Sequence, residues 1–416
     1  MKPKVILPIL FLSISLLLAF VADPNEISFV NQNFSASEKQ LTKLLDTANQ
    51  IDSLYPRTTD PKGKVVFTNM YEWTSGFFAG SLWYGYEGTG NTALKNEAIK
   101  WTEKLEPLKN FTEHHDLGFM VYCSYGNAYR LTKNEKYKDI LVQSAKSLST
   151  RFSEKTGVIK SWDRFGSWDG KGRYDFPVII DNMMNLELLF FASKVTGDDR
   201  YKKIALSHAE NTMKHQIRDD FSSYHVVCYD SQTGKVLSRE TAQGYANNST
   251  WARGQSWGIY GFTMTYRETQ DPRYLNVATK MADYYINHED LPSDYVAYWD
   301  FNANQNGYTP SVRSKAKEMP TNYRDASAAA VTASALLELS TFKGVDAKKY
   351  RDAGVKILKS LSGAAYFAKY GTNGGFLLRH SVGSIAHGVE IDVPLVYADY
   401  YYLEALNRYK KILAGA

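Results

Sequence analysis

An acidic residue inside an apolar stretch is the first candidate for chemistry. The stretch FPVIIDNMMNLELLFFAS (176–193) predicts a buried helix from Pro177 to Leu189, with Asp181 about one turn inside its start. Burial disfavours the charged form of a carboxyl group and raises its pKa, which suits a proton donor at neutral pH. Asp181 is therefore a candidate general acid, and a buried structural aspartate is the alternative interpretation.

Two further features would complete a site around Asp181. Asn185 follows four residues later, on the same helix face, and is predicted to hydrogen-bond the carboxyl group and fix its orientation. A second acid, Asp116 in TEHHDLGFM, precedes another apolar segment, where a helix N-cap is its simplest role. His114 and His115 beside it favour a polar site. Two acids at the starts of two inner helices would converge on one cleft.

Helical periodicity dominates the rest of the chain and predicts about twelve helices. The predicted segments are 36–53, 76–87, 92–106, 117–131, 135–153, 178–196, 199–217, 250–269, 272–288, 326–342, 347–360 and 391–410. The linkers LTKNEKY, VTGDDRY and ETQDPRY share a Thr, an Asn or Asp two residues later, and a Tyr three residues after that. The Asn or Asp fits a helix N-cap, and Pro272 fits the first helical position.

Six helical hairpins in succession indicate an all-α architecture. Repeated hairpins cannot bury their apolar faces alone, so they stack in an open solenoid or close into a ring. Unequal repeats and long loops favour a closed toroid with an inner and an outer ring of helices. Some loops could hold short strands at the rim of the cleft, and SYHVVCYD (223–230) is the best candidate.

Composition predicts a single domain over residues 23–416. The chain is 44% hydrophobic and 22% charged, without a low-complexity tract or a Pro/Ser-rich linker to mark a boundary. Its positive charge is spread without a basic block, so no nucleic-acid partner is expected, and nothing indicates a protein partner. Cys123 and Cys228 cannot form a disulfide framework and are predicted to be buried thiols. No Cys/His pattern has metal-ligand spacing.

The N-terminus predicts export. Residues 1–22 combine Lys2 and Lys4 with an apolar run from Val5 to Ala22, which is the layout of a secretory signal peptide. Cleavage after Ala22 would place the mature protein in the periplasm. A retained membrane anchor is the alternative, because the run approaches the ~20 residues that span a bilayer.

The aromatic residues indicate a sugar ligand. Aromatics make up 14% of the chain, and several tryptophans fall in or beside loops. Flat aromatic rings pack against the apolar faces of sugars, although filling a large core is the alternative role for any one of them. The tryptophans in question are Trp73, Trp162, Trp168, Trp251, Trp257 and Trp299.

Four separated motifs carry a resemblance to a known family. HDLGFM, IIDNMMNLELL, TWARGQSWGIYGF and EIDVPLVYADYYYLEAL occur in the order found in the unsaturated glucuronyl hydrolases, glycoside hydrolase family 88. The likeness runs from about residue 70 to residue 410. It implies an (α/α)6 toroid without metal or other cofactor. The implied substrates are unsaturated uronic-acid oligosaccharides left by polysaccharide lyases.

The resemblance also implies site residues. Asp181 corresponds to the family's general acid and base, and Asp116 would hold ring hydroxyls. Arg253 is a candidate for binding the substrate carboxylate, and Trp257 for stacking on a sugar. The implied substrate-binding residues are Trp73, His225, Gln243, Arg253 and Trp257.

The implied reaction differs from ordinary glycoside hydrolysis. Asp181 would protonate C4 of a vinyl ether, water would add at C5, and the resulting hemiketal would open. Three alternatives stay open at this point: an unsaturated rhamnogalacturonyl hydrolase of the same fold, an (α/α) polysaccharide lyase, and a sugar-binding toroid without catalysis.

Overall fold

Alternating inner and outer helices form the body of the protein. The computed structural model describes residues 23–51 and 53–415, so the predicted signal peptide lies outside the described residues. Twelve α-helices occur within the described part of the chain. They are α1 Pro24–Ala48, α2 Ser75–Thr89, α3 Thr92–Glu103, α4 Asn127–Thr132, α5 Glu135–Ser149, α6 Leu186–Thr196, α7 Asp199–His215, α8 Ala252–Thr269, α9 Pro272–Ile286, α10 Ala326–Leu339, α11 Ala347–Ser362 and α12 Val396–Leu413. None of the described helices combines the length and apolar character needed to span a bilayer.

The even-numbered helices form a closed inner ring. Taken with the short helices that precede α4 and α6, each packs against the next, and α12 returns to pack against α2. Two of them are extended at their N-terminal ends, α4 by a π-helix at Gly118–Gly126 and α6 by a 3-10 helix at Ile180–Asn185. The odd-numbered helices form the outer ring. This arrangement confirms the predicted toroid of six helical hairpins.

Residue pattern decides which ring a helix joins. Every residue of α10 except Glu338 is buried, because its small and apolar side chains let neighbours approach on all sides. In α11 the buried residues instead follow helical spacing along one face, and Lys and Arg side chains cover the other. A helix with one apolar face can only be an outer helix.

The repeated linkers are helix caps, as predicted. Asn134 accepts a hydrogen bond from the Lys136 backbone N–H at 3.0 Å, while its own N–H donates to Thr132 Oγ1 at 3.3 Å. Lys133 between them has φ of 57°, the left-handed conformation that ends α4. Asn91, Asp198 and Asp271 cap α3, α7 and α9 in the same way.

Several predicted helix boundaries are wrong, including the end of the helix predicted at 135–153, which stops at Ser149. The first helix was expected at 36–53 but begins at Pro24, capped by Asp23. The helix predicted at 178–196 begins as a 3-10 helix at Ile180, because Pro177–Ile179 pairs as a strand with Val226–Cys228, and it becomes α-helical at Leu186. The last helix, expected from 391, begins at Val396 because the preceding residues pair in a hairpin.

Short strands surround the N-terminal ends of the inner helices. They are β1 Tyr55–Thr59, β2 Val65–Thr68, β3 Phe152–Ser153, β4 Val158–Ile159, β5 Phe165–Gly166, β6 Arg173–Tyr174, β7 Pro177–Ile179, β8 Val226–Tyr229, β9 Val236–Glu240, β10 Ser381–Ser384 and β11 Val389–Val393. Strand β8 confirms the strand predicted in SYHVVCYD, and it forms a three-stranded antiparallel sheet with β7 and β9. The hairpin β10–β11 is a separate two-stranded unit. Cys123 and Cys228 are buried free thiols, as expected.

Candidate active site

The two predicted acids lie together at the N-terminal ends of inner helices. Asp116 lies two residues before the π-helix that leads into α4, and Asp181 lies in the 3-10 helix that leads into α6. Both are buried, with 8% and 7% of their surface exposed. The charge of Asp116 is close enough to raise the pKa of Asp181. The structure therefore brings the two carboxyl groups into one site.

Asp181 is suited to donate a proton near neutral pH. Burial raises the pKa of its carboxyl group to about 7, and Asp116 adds to this effect. Arg253 and the indole N–H of Trp257 act in the opposite direction and lower the pKa. That N–H lies outside hydrogen-bond geometry, and Oδ2 of Asp181 is buried without a hydrogen-bond partner among the described residues. A carboxyl group in this state holds a proton at neutral pH without a large penalty.

The predicted hydrogen bond between Asn185 and Asp181 is wrong. Asn185 Oδ1 instead accepts the Phe119 backbone N–H at 3.1 Å, and its Nδ2 faces His115 Nδ1 at 3.3 Å. The reason is the 3-10 geometry of this segment, in which side chains three residues apart, not four, share a face. Asn185 thus joins the segment of Asp181 to the segment of Asp116.

A glycine permits that junction. A Cβ atom on Gly118 would lie 2.5 Å from both Cα and Oδ1 of Asn185. Any larger residue would push the two acid-bearing segments apart. The glycine of the HDLGFM motif is therefore required by close backbone approach rather than by its own backbone conformation.

Asp116 lies between two histidine rings. His115 Nε2 is 3.2 Å from Oδ1, and His114 Nδ1 is 3.1 Å from Oδ2. Burial acts to raise the pKa of Asp116, but His115 and His114 outweigh it, and the pKa stays below its usual value. Asp116 is therefore ionised under conditions in which Asp181 is protonated.

His225 faces Asp181 as a neutral ring. Its Nδ1 accepts hydrogen bonds from the backbone N–H groups of Ala242 at 3.1 Å and Gln243 at 3.2 Å. The proton of the neutral ring must therefore be on Nε2, which lies 3.8 Å from Asp181 Oδ2. Burial lowers the pKa of His225 well below its ordinary value, with Arg253 acting in the same direction.

Arg253 does not offer the free guanidinium fork that was expected. Its Nη1 bonds to Asp325 Oδ2 at 3.1 Å and to the Val382 carbonyl, and Nη2 donates to the Gly383 carbonyl at 2.8 Å. The side chain thus holds the hairpin β10–β11 against the inner ring. Its charge still acts on Asp181.

The other predicted site residues divide by burial. Trp257 is fully buried and packs against Phe119 and Tyr401, so the expected open stacking surface is not present. Trp73 is half-buried, with its ring centroid 4.8 Å from that of Tyr397. Gln243 is half-buried and donates to the Gly383 carbonyl at 3.2 Å.

Sequence patterns missed two contributors to the site. Asp325 is the N-cap of α10, and it also accepts hydrogen bonds from Arg253 and from the Val382 backbone N–H. The hairpin β10–β11 supplies the carbonyl groups that Arg253 and Gln243 bind. An aspartate before an Ala-rich helix predicts a helix N-cap. Nothing in the sequence predicts that Asp325 also binds Arg253.

The opposite end of the inner ring holds a cavity of about 420 Å³. Its charged side chains pair with one another: Arg267 binds Glu187 and Glu338, and Arg408 binds Glu338. Glu404 accepts hydrogen bonds from Tyr84, Tyr260 and Ser334. These contacts join neighbouring inner helices to one another, which is a structural role.

Asp181→Asn is expected to raise the melting temperature more at pH 8 than at pH 5. The folded carboxyl group has a pKa of about 7, against ~3.9 for an unfolded aspartate. Between these values the folded wild-type protein binds more protons, so its stability falls as the pH rises through this window. Asparagine does not titrate.

Thermal melts across this pH range test the expectation, with Asp116→Asn as the matched control. Because the pKa of Asp116 is lowered in the folded protein, its carboxylate contributes stability that is lost as the pH falls. The effect of Asp116→Asn on the melting temperature should therefore change with pH in the opposite direction. A difference between Asp181→Asn and wild type that did not change with pH would contradict a raised pKa at Asp181.

Comparison with known proteins gives the family. The sequence profile of Glycosyl Hydrolase Family 88 matches residues 50–416. A protein of Formosa agariphila named unsaturated glucuronyl hydrolase is 43% identical over 386 residues, 92% of this chain and 91% of that protein. A Streptococcus pyogenes protein named unsaturated chondroitin disaccharide hydrolase is 34% identical over 399 residues, 92% of this chain and 94% of that protein.

A solved structure agrees with these relatives. The crystal structure of an unsaturated glucuronyl hydrolase specific for heparin superposes with a TM-score of 0.84 and 45% identity, covering 92% of this chain and 98% of that one. Since the family profile and the relatives all cover most of the chain, the chain belongs to Glycosyl Hydrolase Family 88.

Proposed function

We propose that this protein is an unsaturated glucuronyl hydrolase. It removes the 4,5-unsaturated glucuronic acid from the non-reducing end of oligosaccharides made by polysaccharide lyases. Family membership and the names of the relatives support this activity over an unsaturated rhamnogalacturonyl hydrolase, a lyase or a sugar-binding protein without catalysis. The observation that carries the mechanism is the buried carboxyl group of Asp181, whose pKa is about 7.

Asp181 acts as the general acid. In the substrate the C4=C5 double bond is conjugated with the carboxylate and attached to the ring oxygen. Proton transfer from Asp181 to C4 leaves positive charge at C5, which the ring oxygen shares. The ionised Asp181 then takes a proton from water as that water adds to C5. The resulting hemiketal opens by breaking the bond between C5 and the ring oxygen, which leaves a ketone at C5 and a hemiacetal at C1. That hemiacetal then breaks its C1–O bond to the next sugar, which leaves as the free alcohol, and the uronic acid is released as a 4-deoxy-5-keto acid with an aldehyde at C1.

The neighbouring residues divide the remaining tasks. Asp116 is ionised and accepts hydrogen bonds from ring hydroxyls, and its negative charge stabilises positive charge that develops at C5. Neutral His225 offers its Nε2–H beside Asp181 without adding a positive charge. Trp73 and Gln243 are half-buried at the same rim, where they can contact the sugar. Trp257 and Arg253 are buried residues that lower the pKa of Asp181.

We also propose that the protein is exported to the periplasm and that residues 1–22 are removed. Lys2, Lys4 and the apolar run support export. Helix α1 begins at Pro24 with Asp23 as its cap, so cleavage after Ala22 leaves the first helix intact. Mass spectrometry of the exported protein tests this, and a retained N-terminus would refute it.

Asp181→Asn should reduce turnover by ~10²- to 10⁴-fold, the usual range for loss of a general acid. The amide keeps the shape of the carboxyl group but cannot give up a proton to carbon. The Michaelis constant for unsaturated chondroitin and heparin disaccharides should change little, because the binding surface is preserved. Loss of the absorbance of the conjugated double bond reports the rate. Turnover within a few-fold of wild type would remove Asp181 from the mechanism.

Isotope labelling tests the site of water addition. Reaction in ¹⁸O-labelled water should place the label on C5 of the released keto acid, and reaction in D₂O should place one deuterium at C4. A conventional glycosidase using Asp116 and Asp181 would label C1 and keep the double bond. Mass spectrometry of quenched product separates the two. Exchange of the free reducing sugar is measured in a blank with product alone.

A further inference from the structure

The two histidines before Asp116 are chemically different from each other. His115 is fully buried, and burial lowers the pKa of its ring to about 4. His114 is partly exposed; burial acts to lower its pKa, but the carboxylate of Asp116 outweighs this and raises the pKa above the ordinary value. The His115 ring is therefore uncharged at neutral pH, whereas the pKa of the His114 ring is shifted in the opposite direction.

The hydrogen bonds around His115 determine its tautomer. Asn185 Oδ1 accepts the backbone N–H of Phe119, so the amide nitrogen of Asn185 is the group that faces His115 Nδ1 at 3.3 Å. An amide nitrogen can only donate, which makes Nδ1 the acceptor and places the ring proton on Nε2. That Nε2 lies 3.2 Å from Asp116 Oδ1, with its N–H direction outside hydrogen-bond geometry. A series of close contacts thus runs from the Phe119 backbone N–H through Asn185 and His115 to the carboxylate.

We propose that His115 is a positioning residue for the reaction: held by Asn185 as the neutral Nε2–H tautomer, it fixes the Asp116 carboxylate in the orientation that contacts the sugar. The proposal rests on the proposed function, because that function assigns Asp116 to the substrate. Through Asn185 the same contacts join Asp116 to the segment of Asp181. The distance between the two carboxyl groups is therefore set by side chains that never touch the substrate.

Four charged or titratable groups face Asp116. They are His114 and His115 on its own segment, Arg151 after α5, and Asp181 on the neighbouring segment. Arg151 is already paired with Asp163 at 3.1 Å. Loss of the His115 contact therefore leaves Asp116 with fewer groups that favour its ionised form. The pH below which activity falls should then move upward.

Two substitutions of His115 separate positioning from packing. In His115→Gln the amide nitrogen has the same number of bonds from Cβ as Nε2 and can present an N–H group to Asp116. In His115→Asn the amide reaches only as far as Nδ1. We expect His115→Asn to lower kcat/KM by ~10²-fold, as misplacement of a reacting group does, and to move the acid limb of its pH profile to higher pH. His115→Gln should restore most of both properties.

His208 provides the matched control. It is equally buried, and its Nδ1 accepts the Ile159 backbone N–H at 3.0 Å, but it is not among the groups that shift the pKa of Asp116. Replacing His208 with Asn or Gln should lower the melting temperature and leave the acid limb in place. If both His115 variants lost kcat/KM equally and the acid limb of their pH profiles did not move, His115 would have only a packing role. That result would overturn the proposal.

A spectroscopic readout is independent of activity. Long-range ¹H–¹⁵N spectra are recorded on protein labelled at its eight histidines, and the signal missing in His115→Gln assigns His115. The spectra should show His115 as an Nε2–H tautomer that does not titrate above pH 5. An Nδ1–H tautomer or a charged ring at pH 7 would refute the proposal. Wild-type protein inactive on every unsaturated disaccharide would instead refute the proposed function, and the spectra would still decide the state of His115.

Discussion

Packing of α12 against α2 closes the inner ring and supports several parts of the site. Tyr397, at the start of α12, contacts the Trp73 ring, and the Arg253 guanidinium lies 5.2 Å from the centre of the Tyr397 ring. Asp399 on the same helix accepts the backbone N–H groups of Leu377 and Leu378, which hold the segment leading into β10–β11. One helix contact therefore supports the aromatic rim, the buried arginine and the hairpin together.

Different surroundings give the two acids different roles. Both are buried, yet Asp181 lacks a hydrogen-bond partner at Oδ2 among the described residues, and its pKa rises to about 7. Asp116 has a ring nitrogen beside each oxygen, and its pKa falls. Carboxyl groups whose environments move their pKa values apart are the usual basis for separate acid and electrostatic roles. Here burial raises the pKa of Asp181, and two consecutive histidines, with Arg151, lower the pKa of Asp116.

Burial also determines the surroundings of two residues that were expected to contact the substrate. A buried guanidinium is costly unless it is paired, and the two Nη atoms of Arg253 bond to Asp325 and two backbone carbonyls. Trp257 is enclosed by Phe119 and Tyr401. Both residues belong to the site because they act on Asp181, whose pKa they lower. Similarity to a family identified the positions, while burial determines what each side chain can do.

The sequence by itself determined the ring of helical hairpins, the caps of the outer helices and the two acids. These features depend on neighbours within about one helical turn, as in the cap that Asn134 provides for α5, so local spacing is sufficient to read them. Only the tertiary structure decided the partners of Asn185 and Arg253. Asn185 bonds to Phe119, 66 residues away, and Arg253 to Val382, 129 residues away. Such contacts form only when the ring closes, and the 3-10 geometry around Asp181 follows from a strand pairing that local periodicity does not encode.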